Sequence, residues 1–115
     1  MFDKLRKYIT LHHSDNYLYK QYLLNILLLQ TYIQHLGKKL LMLDGYGNNH
    51  ELRNLDEYAQ LRDQINTKFF MGWPNKTMSE WTHGTPQGAG GHFLEQGHAI
   101  VAERIYDYIK YLKWI

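Results

Sequence analysis

The residues best suited to chemistry lie near the end of the chain, where a glycine-rich stretch leads into His92. Residues 88–92 read GAGGH, and the pair Gly97-His98 follows. An imidazole that is neutral near pH 7 can accept a proton from a hydroxyl group, which is the task of a general base. In open α/β sheets, loops at the carboxyl ends of the strands carry such groups. His92 is therefore the first candidate for a catalytic residue.

This ending resembles the last block of the SGNH (GDSL-type) hydrolase family. In that family the loop histidine is the general base and a Gly-His pair opens the final helix, so the resemblance gives these places to His92 and to Gly97-His98. Residues 72–75, with the two histidine motifs, are also similar to SGNH-like proteins of viruses of marine bacteria. The resemblance covers roughly residues 15–112. It implies a flavodoxin-like fold and ester hydrolysis by serine attack, without a cofactor.

The chain departs from the family pattern at three places. It contains no Gly-Asp-Ser nucleophile block, and the family's aspartate, three residues before the histidine, is Ala89 here. In the family, the glycine and asparagine of the oxyanion hole lie upstream of the region that this chain resembles. Gly45, Gly47 and Asn48 follow the fourth strand of the family pattern rather than the third, so they are not assigned that role. We therefore expect an SGNH-like half or degenerate relative that lacks the N-terminal strands and is inactive alone.

The element order predicted from apolar spacing is α-α-β-α-β-loop-α, an α/β fold with parallel strands flanked by helices. Apolar runs at 40–43 and 69–71, bounded by glycines, favour short buried strands. The helix between them predicts that they pair in parallel through a right-handed crossover. The predicted helices are an amphipathic start over 1–13, a long helix over 15–36 capped by Ser14 or Asp15, one over 55–65 capped by Asn54, a short one over 77–81 capped by Asn75, and a last one from 94 or 95 to 111.

The faces of these helices have to be covered. We expect the long helix and the last helix to pack on the sheet, the last one through a face with apolar spacing. Its predicted members are His98, Val101, Ala102, Ile105, Ile109 and Leu112. Two strands do not make a free-standing parallel sheet, and unpaired edges are paired or covered in proteins. We therefore expect a homo-oligomer, or a companion chain that carries the N-terminal half.

Other polar residues have competing interpretations. His98 is expected to tie the loop to the last helix rather than to do chemistry. With His92 and Glu95 it could also be a metal ligand, but the two histidines lack the spacing of a helical zinc site, so no metal is expected. Asp44 ends a strand, where it caps a turn or replaces the missing aspartate. His12 and His13 lie near the start of the chain and have no partner motif. Ser14 and Ser79 lack the context of a nucleophile elbow and are interpreted as helix-end residues.

Composition narrows the class of protein. At 115 residues we expect a single domain over 1–115, and the absence of cysteine excludes disulfides and thiolate sites. The net charge of +2 is too small to indicate nucleic acid. Because no signal peptide or long apolar run is seen, we expect no membrane contact and a cytoplasmic location, in the host cytoplasm or virion if the protein is viral. The ten tyrosines favour half-buried helix faces or a protein contact surface.

A second class of function fits the same pattern. A non-catalytic viral structural or accessory protein could keep the scaffold and use a sheet edge and its tyrosines for assembly. A companion chain that carries the Gly-Asp-Ser block would favour the hydrolase-like alternative. A stable homo-oligomer without hydrolase activity would favour the structural or accessory alternative.

Overall fold

The computed structural model is a mixed α/β structure with a short parallel two-stranded sheet. It describes residues 2–12, 15–45, 56–74 and 76–115. The helices and strands are α1 (Phe2–His12), α2 (Asp15–His35), β1 (Met42–Leu43), α3 (Ala59–Arg62), β2 (Phe70–Met71), α4 (Met78–Trp81) and α5 (Glu95–Tyr111). Single 3₁₀ turns occur at Asp56–Tyr58, Thr67–Phe69 and Ala89–Gly91.

The chain forms two compact units, and each is built from two stretches of sequence. The first unit joins Met1–Leu40 to Asn49–Thr67, and the second joins Leu41–Asn48 to Lys68–Ile115. The chain therefore enters the second unit for the few residues around β1, returns to the first, and enters the second again before β2.

The first unit has its core along one face of α2. Leu23 and Ile26 are buried there, and the ring of Tyr19 meets that of Tyr58 edge to face, with centroids 5.0 Å apart. Gln30 fastens the same helix to the segment after α3: its amide nitrogen donates to the Asn66 carbonyl at 3.1 Å, and its amide oxygen accepts from the Asn66 N–H at 3.0 Å. The predicted long helix is confirmed, and it ends one residue before the expected Leu36.

The second unit contains the sheet. β1 and β2 pair in parallel with Met42 opposite Phe70 and Leu43 opposite Met71, as the helical connection predicts. Phe70 and Met71 are buried. A flat Phe69–Trp114 stack, with centroids 5.8 Å apart, fixes the end of the chain beside the residues that enter β2. The packing of α2 on the sheet stays a prediction.

Several predicted elements are shorter than expected. Each strand keeps only its two paired residues, and Phe69 belongs to a 3₁₀ turn. The helix expected over 55–65 is a 3₁₀ turn at Asp56–Tyr58 followed by α3. α3 ends early because the Gln64 and Ile65 N–H groups donate to carbonyls only three residues back, as in a 3₁₀ turn, and Ile65 is buried. Asn54 and Leu55 lie outside the described residues.

The last two helices correct the predicted caps and faces. Thr77 caps α4, because its hydroxyl oxygen accepts the Glu80 N–H at 3.3 Å, and the predicted cap Asn75 lies outside the described residues. In α5, Val101 is buried and Ile105 is half-buried, but His98 and Ala102, placed on the same predicted face, are exposed. None of the described helices combines the length and the apolar character that crossing a membrane requires.

Candidate functional site

His92 lies at the end of a small hairpin-like loop of the second unit. Gln87 and Phe93 form an isolated antiparallel bridge, and the Gly88 N–H donates to the His92 carbonyl at 2.7 Å. The 3₁₀ turn Ala89–Gly91 makes the tip. The loop therefore has its own hydrogen bonds and holds the His92 backbone in one conformation, with φ −71° and ψ 129°.

The glycines before His92 are required by the backbone of this tip. Gly90 has φ 70° and Gly91 has φ 76°, a left-handed conformation that other residues adopt only at a cost. A Cβ at Gly90 would lie 3.4 Å from Cδ2 of the His92 ring, so the imidazole lies close over the glycine backbone. His92 is exposed at this tip, where an approaching chain or substrate can reach it.

The first turn of α5 packs against this loop. A Cβ at Gly97 would be 2.6 Å from the Cβ of Phe93, so only glycine permits this approach. The rings of Phe93 and His98 meet edge to face with centroids 4.6 Å apart. This contact is the link between loop and helix that the sequence predicts for His98.

The backbone of Asp44 forms a hydrogen bond within the second unit. Its carbonyl accepts the Met78 N–H at 2.9 Å, and the Gly45 carbonyl accepts the Ser79 N–H at 3.0 Å. The first amides of α4 therefore bond to the residues that follow β1. Ser79 is placed in this helix, as expected for a helix-end residue rather than a nucleophile.

The other sequence candidates are not gathered into one site. Among the described residues, no three histidine, aspartate or glutamate side chains are close enough to hold a metal ion, so His92, Glu95 and His98 do not form such a group. His12 ends α1. His13, Ser14, Gly47 and Asn48 lie outside the described residues.

Sequence reasoning missed an open groove in the second unit. Its volume is about 470 Å³. It begins beside the carboxyl end of β2, and one wall is a face of α5. Its lining residues are Met71, Gly72, Lys76, Trp81, Arg104, Asp107, Tyr108 and Tyr111. Four of these recur at i, i+3, i+4 and i+7 along α5, so helical spacing of polar and aromatic residues was the signal that could have revealed the groove.

The groove combines positive charge with aromatic rings. The Arg104 guanidinium lies 5.3 Å from the centroid of the Trp81 ring, within the range of a cation–π contact. Lys76 forms an ion pair of 3.8 Å with Glu80, which lies one turn on. The Tyr108 hydroxyl donates to the Lys68 carbonyl, and burial, with a smaller effect of Tyr111, raises the pKa of Tyr108 above its usual value.

Comparison of the chain with protein-family models, with curated proteins and with solved structures found no match.

Proposed function

We propose that this chain is an SGNH hydrolase-like part whose His92 serves as general base for a serine on another polypeptide segment. The parent reaction is ester hydrolysis in a flavodoxin-like fold. The 115 residues contain no Gly-Asp-Ser block, so the chain alone lacks the nucleophile. Without a nucleophile and an aspartate, a lone base gives little acceleration, because triad members act as a unit.

The parallel pairing of β1 with β2 carries this proposal. The resemblance requires two successive parallel strands before the histidine loop and a closing helix after it, and this order is present. An antiparallel pairing would have contradicted it. The exposed ring of His92 on a hydrogen-bonded loop adds support, because a base for a nucleophile on another chain has to be accessible.

The test is turnover of a short acyl ester such as p-nitrophenyl acetate. We expect the isolated chain to hydrolyse it at the buffer rate and to remain unlabelled by a serine-directed phosphonate. Activity should appear when the chain is combined with the polypeptide encoded immediately upstream of Met1, provided that this carries a Gly-Asp-Ser block. His92→Ala should then lower the rate by several orders of magnitude.

His83→Ala is the matched control, because His83 is another exposed histidine of the same unit, placed after α4. It should keep the activity of the combined chains. Equal loss in both variants, or no activity with a companion that carries the serine block, would contradict the base role. Turnover by the isolated chain that disappears in His92→Ala would contradict the need for a companion.

A second function, assembly without catalysis, is favoured by the outer face of α2. Between Leu18 and Leu36 this face carries apolar side chains at helical spacing and no Lys, Arg, Asp or Glu, and Asp15 stands before them in the first turn of the helix. Leu28, Tyr32 and Leu36 follow one another at i+4 and are 67%, 60% and 48% exposed. Leu18 and Leu29 are also exposed on it. An apolar stripe on both faces of a helix indicates that each face has a neighbour.

The occupant we propose for this outer face is the same face of a second copy. Because the stripe is uncharged, two copies can meet without like-charge repulsion. Sedimentation at micromolar concentration should give a homo-oligomer, and Leu28→Glu should shift it to monomer. Thr31→Glu adds the same charge on an exposed position of α2 away from the stripe and should leave the oligomer intact. A monomeric wild-type chain at about 10 µM, where contacts of modest affinity are already populated, would contradict assembly through α2.

A further inference from the structure

The groove beside β2 contains a cation whose donors are available to a ligand. Arg104 lies over the face of Trp81, and within the described part of the chain its guanidinium forms no ion pair or hydrogen bond. Asp107, one turn along α5, also lines the groove but forms no ion pair with Arg104. A cation–π contact uses none of the conventional hydrogen bonds of a guanidinium, so its fork of N–H donors can still bind phosphate or carboxylate.

Lys76 adds a second positive charge to the same groove. Its ammonium is paired with the Glu80 carboxylate at 3.8 Å, and the Lys76 side chain is 71% exposed. Ion pairs this exposed are weak, so Lys76 can exchange its partner for a stronger anion. Arg104 and Lys76 together fit an anion with a double negative charge better than a single carboxylate.

The two tyrosines of the lining offer ring faces to a ligand. The Tyr108 hydroxyl is occupied by the Lys68 carbonyl, so this residue presents its ring to a ligand. Tyr111 is 70% exposed and its ring lies 5.6 Å from that of Tyr108. The two rings are tilted by 50° to each other, so a flat ligand ring stacks on one of them, and such stacking depends little on the substituents of the ligand ring. The Asp107 carboxylate is an acceptor for N–H or hydroxyl groups of such a ligand.

We propose that this groove binds a flat aromatic ring joined to a phosphate, as in a nucleoside monophosphate. The phosphate lies between Arg104 and Lys76, and the ring lies on the tyrosine side near Asp107. A volume of about 470 Å³ suits a ligand of this size. The proposal does not depend on ester hydrolysis or on His92, since neither contributes to the groove.

Isothermal titration calorimetry with the full chain tests this site. The probes are the monophosphates of adenosine, guanosine, cytidine and uridine, the four nucleosides, and inorganic phosphate. We expect at least one monophosphate to bind with a Kd below about 1 mM, and its nucleoside and phosphate alone to bind at least about tenfold more weakly. Binding should also weaken as salt is raised from 50 to 500 mM, because the groove is open to solvent.

The variants separate the groove from general surface charge. Arg104→Ala and Lys76→Ala should each weaken binding, the former by about tenfold or more. Lys110→Ala removes the same charge from the same helix outside the groove, where Lys110 lies 5.4 Å from the Tyr106 ring, and should leave binding unchanged. Far-ultraviolet circular dichroism checks that each variant is folded. Absence of binding by all four monophosphates, equal binding of phosphate alone, or equal effects of Arg104→Ala and Lys110→Ala would overturn the proposal.

Discussion

At the scale of single residues, Gly97 has two opposing effects on stability. As a glycine within α5 it lowers helix stability, and replacement by alanine in an exposed helix typically gains up to about 1 kcal/mol. Its missing side chain, however, lets Phe93 approach so closely that a Cβ would lie 2.6 Å from the Cβ of Phe93. Ordinary carbon contacts are about 3.5–4.0 Å. The steric cost should therefore exceed the gain in helix propensity.

We expect Gly97→Ala to lower the free energy of unfolding by about 1–3 kcal/mol, as other overpacking substitutions do. Urea denaturation followed by circular dichroism measures the change. Gln96→Ala, at an exposed neighbouring position of α5, should stay within about 0.5 kcal/mol of the wild type. A Gly97→Ala chain at least as stable as the wild type would show that the loop moves away from the helix at no cost.

Gln30 is a second residue with a measurable effect, because its amide makes two hydrogen bonds to the Asn66 backbone. Net contributions of such bonds are about 0.5–1.5 kcal/mol each. Gln30→Ala should therefore destabilise the chain by about 1–3 kcal/mol in urea denaturation. Gln34→Ala, one turn further along α2 at an exposed position, is the control and should be nearly neutral. If both variants behaved alike, the link to Asn66 would contribute nothing to stability.

At the scale of elements, α4 depends on a cap that is fully buried. Thr77 is 0% exposed, and its hydroxyl oxygen accepts the Glu80 N–H. Loss of a threonine cap typically costs about 1 kcal/mol, and burial of the site adds to this. We expect Thr77→Ala to cost about 1–2 kcal/mol in the free energy of unfolding. The control Ser79→Ala, inside the same helix, should be neutral or slightly stabilising because alanine is the better helix former.

The sequence pattern predicted the elements with strong periodicity better than the short ones. The long run of apolar residues in α2 and the Gly-His start of α5 identified both helices to within a residue or two. The parallel pairing also followed from the connection between the two strands. Thr77 was missed as a cap because Asn75 is an equally good capping type, and only the position of Glu80 decides between them. The helical spacing of its polar and aromatic residues in α5 indicated one wall of the groove, but no local pattern joins that wall to Trp81, which is far away in sequence.

At the scale of the whole molecule, two tyrosines connect folding to alkaline pH. Burial, and then the charge and hydrogen bond of Glu57, raise the pKa of Tyr58; burial, and then Tyr111, raise the pKa of Tyr108. In the unfolded chain both should titrate near 10. Above that pH the folded chain holds more protons than the unfolded chain, so the free energy of unfolding falls as pH rises through the folded pKa values. Below pH 10 these residues should give no pH dependence.

Urea denaturation at pH 9, 10 and 11 measures this loss. We expect stability to be constant up to pH 9 and to fall from pH 10 to 11, with part of the fall removed in Tyr58→Phe and in Tyr108→Phe. Absorbance at 295 nm should show in parallel that some tyrosinate forms only above the usual range. An identical decline in the wild type and both phenylalanine variants would assign the effect to other groups.

The alternation of the chain between its two units has a consequence for its synthesis. β1 leaves the ribosome before the whole segment from residue 44 to residue 69, and only then does β2 become available to pair with it. At about 5–20 residues per second, the strand waits for a second or more with its backbone groups unpaired. The first unit likewise needs its return segment up to Thr67 before Gln30 can bond to Asn66. Neither unit is complete until the chain has crossed between them, so we expect newly made chains to engage chaperones until residues beyond β2 have emerged.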